Sequence, residues 1–343
     1  MGWPKPPIYV TLLAMMSAEQ SSSTPPMPAI PNTQMPHVVL LAGGVGGAKL
    51  AHGFAQLLPA GKLTIIVNTG DDFQHLGLQI CPDLDTVTYT LAGLANPDTG
   101  WGRTGESWRT LDEVARLGGP GWFRLGDLDL ATHLTRTHLL ANGHTLTTAT
   151  QQLCQQLDVI HTILPMSNSP APTLIDSDEG LLPFQTWFVA RQWQPAVRRV
   201  CLPAEVQATP QVLKALEKAD LVVIAPSNPF VSIDPILNVY PIRAMVVDLP
   251  QVVVAVSPII GGQAVKGPAA KMMAEMGLPV SAAAVADYYN DLIDVFVYDA
   301  QDRETFQTDE RPALCTDTWM TTPAQRRRLA EAILSYTMEL TNQ

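Results

Sequence analysis

The most constraining feature of the chain is a short apolar run that ends in a cluster of glycines and is followed by a helical pattern. Residues 38–42 read VVLLA, and the next five residues are Gly43, Gly44, Val45, Gly46 and Gly47. Residues 49–58 then have the spacing of an amphipathic helix. Continuous apolar runs of this length are typical of strands that are buried on both faces of a parallel sheet. The segment therefore predicts a strand, a tight turn and a helix, the first unit of an α/β fold.

Further apolar runs follow along the chain, at residues 63–67, 159–164, 197–202, 221–225, 252–256 and 295–298. Helical patterns separate most of them, so we expect a doubly wound, mostly parallel sheet with helices on both faces. Two segments interrupt this alternation. Residues 86–157 are predicted to form a largely helical insertion, and residues 173–191, with an acidic turn, are predicted to form a β-hairpin.

Composition and charge narrow the class of protein. The chain has 343 residues and a formal net charge of -11, and its one basic run is short, at residues 326–328. An acidic chain of this kind argues against nucleic acid as the main partner. No apolar run reaches the roughly 18 residues that would cross a bilayer, and the four cysteines lack the spacing of a metal site. We therefore expect a cytoplasmic enzyme with no membrane partner.

Residues 1–36 differ in character from the rest of the chain. They contain early prolines, an apolar patch and a stretch rich in serine, threonine and proline. The apolar patch resembles the hydrophobic part of a secretory signal, but it is short and a single lysine precedes it. We therefore favour a disordered N-terminal extension, or a start codon upstream of the real one near Met35, with residues 37–343 forming a single α/β domain.

The glycine cluster predicts a phosphate-binding turn. Glycines between a strand and a helix allow backbone N–H groups to approach a phosphate closely, and the N-terminus of the helix favours negative charge. The turn lacks the third glycine of G-x-G-x-x-G and the G-K-[ST] ending of a P-loop, so it matches neither common nucleotide motif. The alternative is a turn in which glycine only permits close packing of the strand against the helix.

Four aspartates lie within fifteen positions after the second predicted strand, namely Asp71, Asp72, Asp83 and Asp85. Carboxylates at a strand end are suited to Mg2+, which prefers one or two carboxylates together with water and substrate phosphates. A carboxylate there is also suited to accept a proton from a hydroxyl nucleophile. We favour a functional role for Asp71 and Asp85. Asp83 directly follows a proline, so a capping role competes equally with a functional one.

Three further polar clusters follow predicted strands or open helices, where open α/β sheets bind ligands. Arg124 precedes a predicted helix and is placed to reach an anionic or aromatic ligand. Lys266 opens another helix. Short polar side chains that suit a nucleotide base or ribose follow a buried strand, at Ser227, Asn228 and Pro229.

Seven motifs resemble, in the same order, those of the 2-phospho-L-lactate transferase (CofD-like) family: GGVGGAKL, VNTGDD, CPDLDTVTYTLAG, RLGDLDLATHL, FQTWFV, APSNPFVSIDPIL and SPIIGGQAVKGPAAKMM. The resemblance covers residues 38–299. It implies a doubly wound α/β fold, usually in a homodimer. It also implies transfer of a phospholactyl or phosphoenolpyruvyl unit from a guanylyl diphosphate donor to the ribityl hydroxyl of the deazaflavin Fo, a step in the biosynthesis of coenzyme F-420. GMP leaves in this reaction, and Mg2+ is required.

Carried over residue by residue, the resemblance assigns roles to particular positions. Asp71 matches a carboxylate that binds Mg2+, and Asp85 and Arg124 match positions that contact Fo. We further predict that Asp85 helps to bind the metal and that Asp71 or Asp72 orients the attacking hydroxyl as the catalytic carboxylate. The predicted donor-binding residues are Gly43, Gly44, Gly46, Gly47 and Lys49 for the diphosphate, Ser227, Asn228 and Pro229 for guanosine, and Lys266 for added positive charge.

Two other functions stay open at this point. One is a non-catalytic regulator of the gluconeogenesis-factor type, which binds a nucleotide sugar and usually carries GGGTG and ADDGGSSG segments that this chain lacks. The other is a nicotinamide-dependent oxidoreductase, which is disfavoured because no acidic residue for the ribose follows a proper G-x-G-x-x-G. The transferred acid is left open among phospholactate, phosphoenolpyruvate and 3-phosphoglycerate, which differ by small groups that a few pocket contacts distinguish.

Overall fold

Strands and helices alternate through residues 35–306 and 311–341, the part of the chain that the computed structural model describes. Residues 1–34 of the predicted N-terminal extension lie outside this part. In chain order the strands are β1 (Val38–Ala42), β2 (Leu63–Val67), β3 (Phe73–His75), β4 (Leu78–Ile80), β5 (Thr162–Pro165), β6 (Leu174–Ser177), β7 (Gly180–Pro183), β8 (Val197–Cys201), β9 (Leu221–Ile224), β10 (Val252–Val256), β11 (Ile259–Ile260), β12 (Gln263–Ala264), β13 (Val295–Asp299) and β14 (Ala313–Thr316). The helices are α1 (Val45–Ala55), α2 (Pro82–Leu91), α3 (Arg109–Arg116), α4 (Asp127–Ala141), α5 (Leu146–Gln156), α6 (Pro210–Glu217), α7 (Asp234–Asn238), α8 (Ile242–Asp248), α9 (Ala269–Glu275), α10 (Ala282–Tyr288) and α11 (Pro323–Thr341).

The central sheet is parallel and has seven strands, in the order β14-β13-β10-β9-β1-β2-β5. The chain runs outward from β1 to β5, returns to β9 on the other side of β1, and continues outward to β14. The predicted doubly wound α/β fold is therefore confirmed. Open sheets of this kind bind ligands beyond the carboxyl ends of their strands, where the strand order reverses. In this sheet that point lies between β1 and β9.

Both faces of the sheet are covered by helices and loops. In β1, the side chains of Val39 and Leu41 join one buried cluster, whereas those of Val38 and Leu40 join the other. Because neither face meets water, these strands have no polar side, which explains why each one is a continuous apolar run. On the second face, α1 packs between α2 and α11. Nε2 of Gln56, which directly follows α1, donates a 3.2 Å hydrogen bond to the carbonyl oxygen of Pro323, so the C-terminal end of α1 lies close to the N-terminus of α11.

One strand prediction was wrong, and one strand of the central sheet was missed. The run at residues 197–202 forms β8, which belongs to a separate three-stranded sheet in the order β7-β6-β8, antiparallel throughout, and not to the central sheet. Its Arg198 and Arg199 are exposed, so this strand is not buried on both faces. The central sheet instead gains β14, which the sequence analysis did not predict because it is short and only partly buried.

The two predicted interruptions are present with different boundaries. The helical segment already begins with α2 at Pro82, and the hairpin of β6 and β7 ends at Pro183, before a π-helical turn at Thr186–Ala190. No helix in the described ranges combines the length and the apolar character that a membrane span needs.

The helices α3 and α4 are tied together at their N-termini by reciprocal side-chain caps. The carboxylate of Glu106 accepts hydrogen bonds from the backbone N–H groups of Leu128 and Asp129, each at 2.8 Å, at the start of α4. The carboxylate of Asp127 accepts hydrogen bonds from the first residues of α3, at 3.3 Å from Arg109 and 3.1 Å from Thr110. Each carboxylate satisfies N–H groups that have no partner within the helix. The paired caps hold α4 in place beside the cavity described below.

Candidate active site

The glycine turn lies between β1 and α1 at the carboxyl edge of the sheet. Its first residue is tied across the switch point, because the N–H of Gly43 donates a 3.2 Å hydrogen bond to Oγ of Ser227. A Cβ on Gly44 would lie 2.6 Å from Oδ1 of Asp83, and one on Gly46 would lie 2.3 Å from the carbonyl oxygen of Pro226. Glycine is therefore required for close approach at both positions. No side chain caps α1, so its first N–H groups are available to a ligand.

A cavity of about 640 Å3 opens over this turn. Residues from the carboxyl ends of β1, β2, β9, β10 and β14 line it, together with residues from α2, from α4 and from the segment before α4. Nine of the predicted site residues line the cavity: Gly44, Gly46, Lys49, Asp71, Asp85, Arg124, Ser227, Asn228 and Lys266. The sequence motifs, which are far apart along the chain, thus converge on one site.

Four predicted site residues do not line the cavity. Gly43 and Gly47 lie in the floor of the turn, where Cβ atoms would meet Ser232 and Ala42. Pro229 is buried at the start of a π-helical turn. Asp72 faces the thiol of Cys81, which donates a hydrogen bond to its carboxyl group. Asp72 is therefore less suited than Asp71 to meet a substrate.

Two carboxylates that do face the cavity share one amide. Nδ2 of Asn68 donates to Oδ1 of Asp71 and to Oδ2 of Asp83, both at 2.9 Å. Burial raises the pKa of Asp83 to about 7. Burial, and then the negative charge of Asp83, raise the pKa of Asp71 well above its ordinary value. Among residues 35–306 and 311–341, no basic side chain is in hydrogen-bonding contact with either carboxyl group. Two crowded carboxyl groups of this kind form the oxygen-rich donor set that a small hard cation such as Mg2+ prefers.

Asp85, which we predicted to share the metal with Asp71, has a different partner. Nη1 of Arg136 donates to Oδ2 of Asp85 at 3.1 Å, Nη2 pairs with the other oxygen, and both residues are buried. Asp83, and not Asp85, is the carboxylate that the structure brings beside Asp71. The charge of Asp85 is already balanced by the guanidinium.

The Arg136 side chain is the centre of a buried ionic network behind the cavity wall. Nδ1 of His133 lies 3.6 Å from Oδ2 of Asp85, and Nε2 lies 3.3 Å from Oδ1 of Asp129. The hydroxyl of Tyr89 donates a 2.7 Å hydrogen bond to the same oxygen of Asp129. Asp85, Asp129 and His133 are close enough to share a metal ion. The adjacent Arg136 cation, however, makes this cluster a poorer metal site than Asp71 and Asp83.

Aromatic side chains also line the cavity. We call five of them the aromatic chamber, namely Trp101, Trp122, Phe123, Phe184 and Phe188. Trp122 and Phe123 pack edge to face with ring centroids 5.6 Å apart, and Phe184 and Phe188 are stacked at 5.3 Å. Both Trp101 and Trp122 are more than one third exposed. Such a chamber is suited to a planar aromatic ligand.

Arg124 lies at the edge of the aromatic chamber. Its guanidinium carbon is 4.3 Å from the centroid of the Trp108 ring, which gives it a cation–π contact. It has no carboxylate partner in the part of the chain that the structure describes. A stacked guanidinium keeps its N–H donors free for a ligand. The predicted contact of Arg124 with a ligand is compatible with this position.

Residues 38–328 match the family model described as 2-phospho-L-lactate transferase CofD. The chain belongs to this family. Membership makes it a transferase. A 2-phospho-L-lactate transferase of Methanospirillum hungatei JF-1 is 41% identical over 300 residues, which cover 87% of this chain and 99% of that relative. A phosphoenolpyruvate transferase of Streptomyces griseus is 41% identical over 273 residues, which cover 77% of this chain and 86% of that relative.

Solved structures support the fold. A crystal structure of a UPF0052 family member from Bacillus halodurans has a TM-score of 0.56 with this chain at 15% sequence identity, covering 87% of this chain and 98% of that one. At this level of identity the likeness shows the shared α/β architecture alone.

The family motifs account for the glycine turn and for Asp71, but some cavity residues were missed. Asn68, which holds Asp71 and Asp83 together, lies in the VNTGDD motif but was not assigned a role. Trp101 and Trp122 of the aromatic chamber were missed because they lie in irregular segments, where no periodic pattern marks them. Phe184 and Phe188 lie in the FQTWFV motif but had no assigned role. The neighbouring Gly100, Gly102 and Gly121 are the one signal that could have drawn attention to the tryptophans.

Proposed function

We propose that this transferase moves a 2-phospholactyl or phosphoenolpyruvyl group from a guanylyl diphosphate donor to the ribityl hydroxyl of the deazaflavin Fo and releases GMP, in the biosynthesis of coenzyme F-420. One observation carries the proposal. A single cavity joins the glycine turn at the switch point, the carboxylates of Asp71 and Asp83, and the aromatic chamber. A phosphate cradle, a metal-type carboxylate pair and a planar-ring pocket are the three parts that this reaction needs.

The donor fits the side of the cavity that holds the glycine turn. Its diphosphate would accept hydrogen bonds from the free N–H groups at the start of α1, where the helix dipole favours negative charge. Ser227 and Asn228 follow β9 at the same edge and suit the guanosine. Lys49 and Lys266 add positive charge at this end. Acting together, these groups would hold the reacting phosphorus in place.

Mg2+ fits the pair of Asp71 and Asp83, which share the amide of Asn68 and raise each other's energy when both are charged. When bound there, the ion would neutralise both carboxylates and the diphosphate charge. We propose Asp83 as the second metal-binding residue in place of Asp85. Asp85 instead binds Arg136 and so holds the cavity wall in place. Its side chain also lines the cavity, where it would contact Fo.

The reaction itself is a displacement at phosphorus. The ribityl hydroxyl oxygen forms a bond to the phosphorus that carries the acid, the bond from that phosphorus to the GMP oxygen breaks, and GMP leaves with the bonding electrons. Asp71 is the cavity carboxylate suited to orient the hydroxyl, and in its ionised form it would accept the hydroxyl proton. The N–H groups of α1 and Lys266 would stabilise the developing charge.

Mass spectrometry of a mixture of the protein, Fo, the guanylyl donor and MgCl2 tests this function. We expect a phosphodiester product and stoichiometric GMP. We expect Asp71→Asn to lower turnover about 10²- to 10⁴-fold at saturating Mg2+, and the exposed Asp287→Asn to leave it unchanged. Wild-type turnover by Asp71→Asn would remove Asp71 from this role. Nucleotide-sugar binding without any product would instead favour a regulator of the gluconeogenesis-factor type.

We further propose that the enzyme acts as a cytoplasmic homodimer on these small molecules. The four cysteines are all unpaired, which is usual in a reducing compartment. The dimer follows from the family resemblance. Light scattering after size-exclusion chromatography would test it, and a monomer at micromolar concentration would contradict it.

A further inference from the structure

Three basic side chains lie close together, and two of them line one end of the cavity. Lys49, in α1, and Lys266, before α9, both line it. Arg326 is the fourth residue of α11, the helix that packs on α1. None of the three enters an ion pair with a carboxylate of residues 35–306 or 311–341. The chain carries 32 acidic residues against 21 basic ones, so acidic partners are not scarce.

The packing of two helices places Arg326 beside Lys49. A Cβ on Gly53 would lie 2.2 Å from the carbonyl oxygen of Arg326, so the first turn of α11 rests directly on α1. The absence of a side chain at Gly53 is what permits this contact. Arg326 and Lys49 are therefore brought together by backbone packing, which does not depend on the flexible ends of their side chains.

The cluster is electrostatically unfavourable as it stands. Burial, followed by the charges of Arg326 and Lys266, lowers the pKa of Lys49. Burial also lowers the pKa of Arg326. A cation in the first turn of a helix also opposes the helix dipole, and Arg326 occupies that position. An anion placed among the three side chains would relieve all of these costs.

The hydrogen-bonding capacity of the cluster is also unused. Nε of Arg326 is buried and has no hydrogen-bond partner within the described part of the chain. Nζ of Lys266 donates to the carbonyl oxygen of Thr99, a neutral acceptor, at 2.5 Å. Buried donors without partners are rare in folded proteins and call for a ligand or water. Charge and hydrogen bonding thus both indicate a missing anion.

We propose that Lys49, Lys266 and Arg326 form a cationic site for an anionic group of the donor, and that Arg326 is a donor-binding residue supplied by the C-terminal helix. The site rests on the proposed function, because that function names the donor. The N-terminus of α1 serves one phosphate, and the cluster would take the next anionic group along the molecule. That group is either a second phosphate or the carboxylate of the transferred acid, since a guanidinium binds both.

Calorimetric titration of GMP, GDP and the complete donor into Arg326→Gln tests the site. We expect the affinity for the complete donor to fall about tenfold to hundredfold, as for the loss of a charge-assisted hydrogen bond. A loss that already appears with GDP identifies a phosphate, and a loss confined to the complete donor identifies the carboxylate. The matched control is Arg327→Gln, the exposed neighbour, which we expect to bind like wild type.

The conservative variant Arg326→Lys guards against a folding defect. It retains the charge but loses the planar fork, so we expect an affinity between those of wild type and Arg326→Gln, with an unchanged melting temperature. Wild-type affinity of Arg326→Gln for both GDP and the complete donor would overturn the proposal, as would an equal loss in Arg327→Gln. Failure of the proposed function would look different, because wild type would then bind GDP without forming product from Fo.

Discussion

The buried pair of Arg136 and Asp85 permits a quantitative test of how the cavity wall is held. Arg136 is 2% exposed and Asp85 is 5% exposed. Burial alone would lower the pKa of Arg136, but the charge and hydrogen bonds of Asp85, together with the neighbouring Cys81 and Tyr89, hold that pKa above its ordinary value. Burial likewise opposes ionisation of Asp129, but the adjacent His133, the hydrogen bond from Tyr89 and the charge of Arg136 keep its pKa below its ordinary value. The positive charge of Arg136 therefore stabilises two buried carboxylates, those of Asp85 and Asp129.

We expect Arg136→Met to lower the free energy of unfolding by about 3–5 kcal/mol, because it leaves a buried carboxylate without its partner. Methionine has nearly the length of the arginine stem, so the loss reports mainly on charge. Adding Asp85→Asn to this variant should restore part of the loss, with a coupling of about 2 kcal/mol between the two positions. The assay is urea denaturation at pH 7.5, with m-values compared between variants.

The control for this cycle is an exposed ion pair on the same protein. Arg243 pairs with Asp291 at 2.7 Å, with the two side chains 48% and 62% exposed. We expect Arg243→Met to change stability by about 0–1 kcal/mol, because solvent screens such a pair. A cost below about 1 kcal/mol for Arg136→Met, or strictly additive costs of Arg136→Met and Asp85→Asn, would refute the view that the network is held by mutual charge compensation.

Three further predictions follow from single contacts. Gly46→Ala should lower the melting temperature and weaken GDP binding, because its Cβ would lie 2.3 Å from a backbone carbonyl oxygen, whereas Gly121→Ala, with 3.8 Å to its nearest atom, should do neither. Glu106→Ala should cost about 0.5–2 kcal/mol in urea denaturation by uncapping α4; the fully exposed Glu113→Ala should change stability much less. Asp83→Asn should flatten the pH dependence of unfolding in EDTA. Burial raises the pKa of Asp83 from 3.8 to about 7, so the unfolded chain releases this proton first. Wild-type stability should therefore fall by up to about 4 kcal/mol as the pH rises across that window, and an equal fall in the variant would contradict this origin.

The central strands could be predicted because burial on both faces of the sheet produces a continuous apolar run in the sequence. A strand covered on both faces must be apolar at every position, and β1, β2 and β10 were predicted with their observed boundaries. The same rule failed for β8, where exposed arginines lie inside the run, and for β14, which has four residues and is only partly buried. Which strands pair is a property of the assembled sheet, and a five-residue run does not encode it.

The local sequence could not decide which carboxylate lies beside Asp71. Asp83 and Asp85 both lie in the first turn of α2, two positions apart. On a helix such positions point about 200° away from each other, so one of them at most can face Asp71. The choice depends on how α2 is rotated against β2, and that rotation is set by tertiary packing, with Leu84 and Val87 buried against the sheet. The family spacing could therefore identify the pair but not select its member.

Arg326 is the clearest case of a residue whose role depends on tertiary packing and not on the local sequence. Within its own sequence context it belongs to a run of three arginines, which is typical of a solvated helix face, and its neighbours Arg327 and Arg328 are indeed exposed. What distinguishes Arg326 is Gly53, 273 positions away, whose missing side chain lets α11 rest on α1. A helical rotation of 100° per residue then turns one arginine of the three toward Lys49 and leaves the others in water. A binding residue of this kind becomes visible only when two helices distant in sequence are packed against each other.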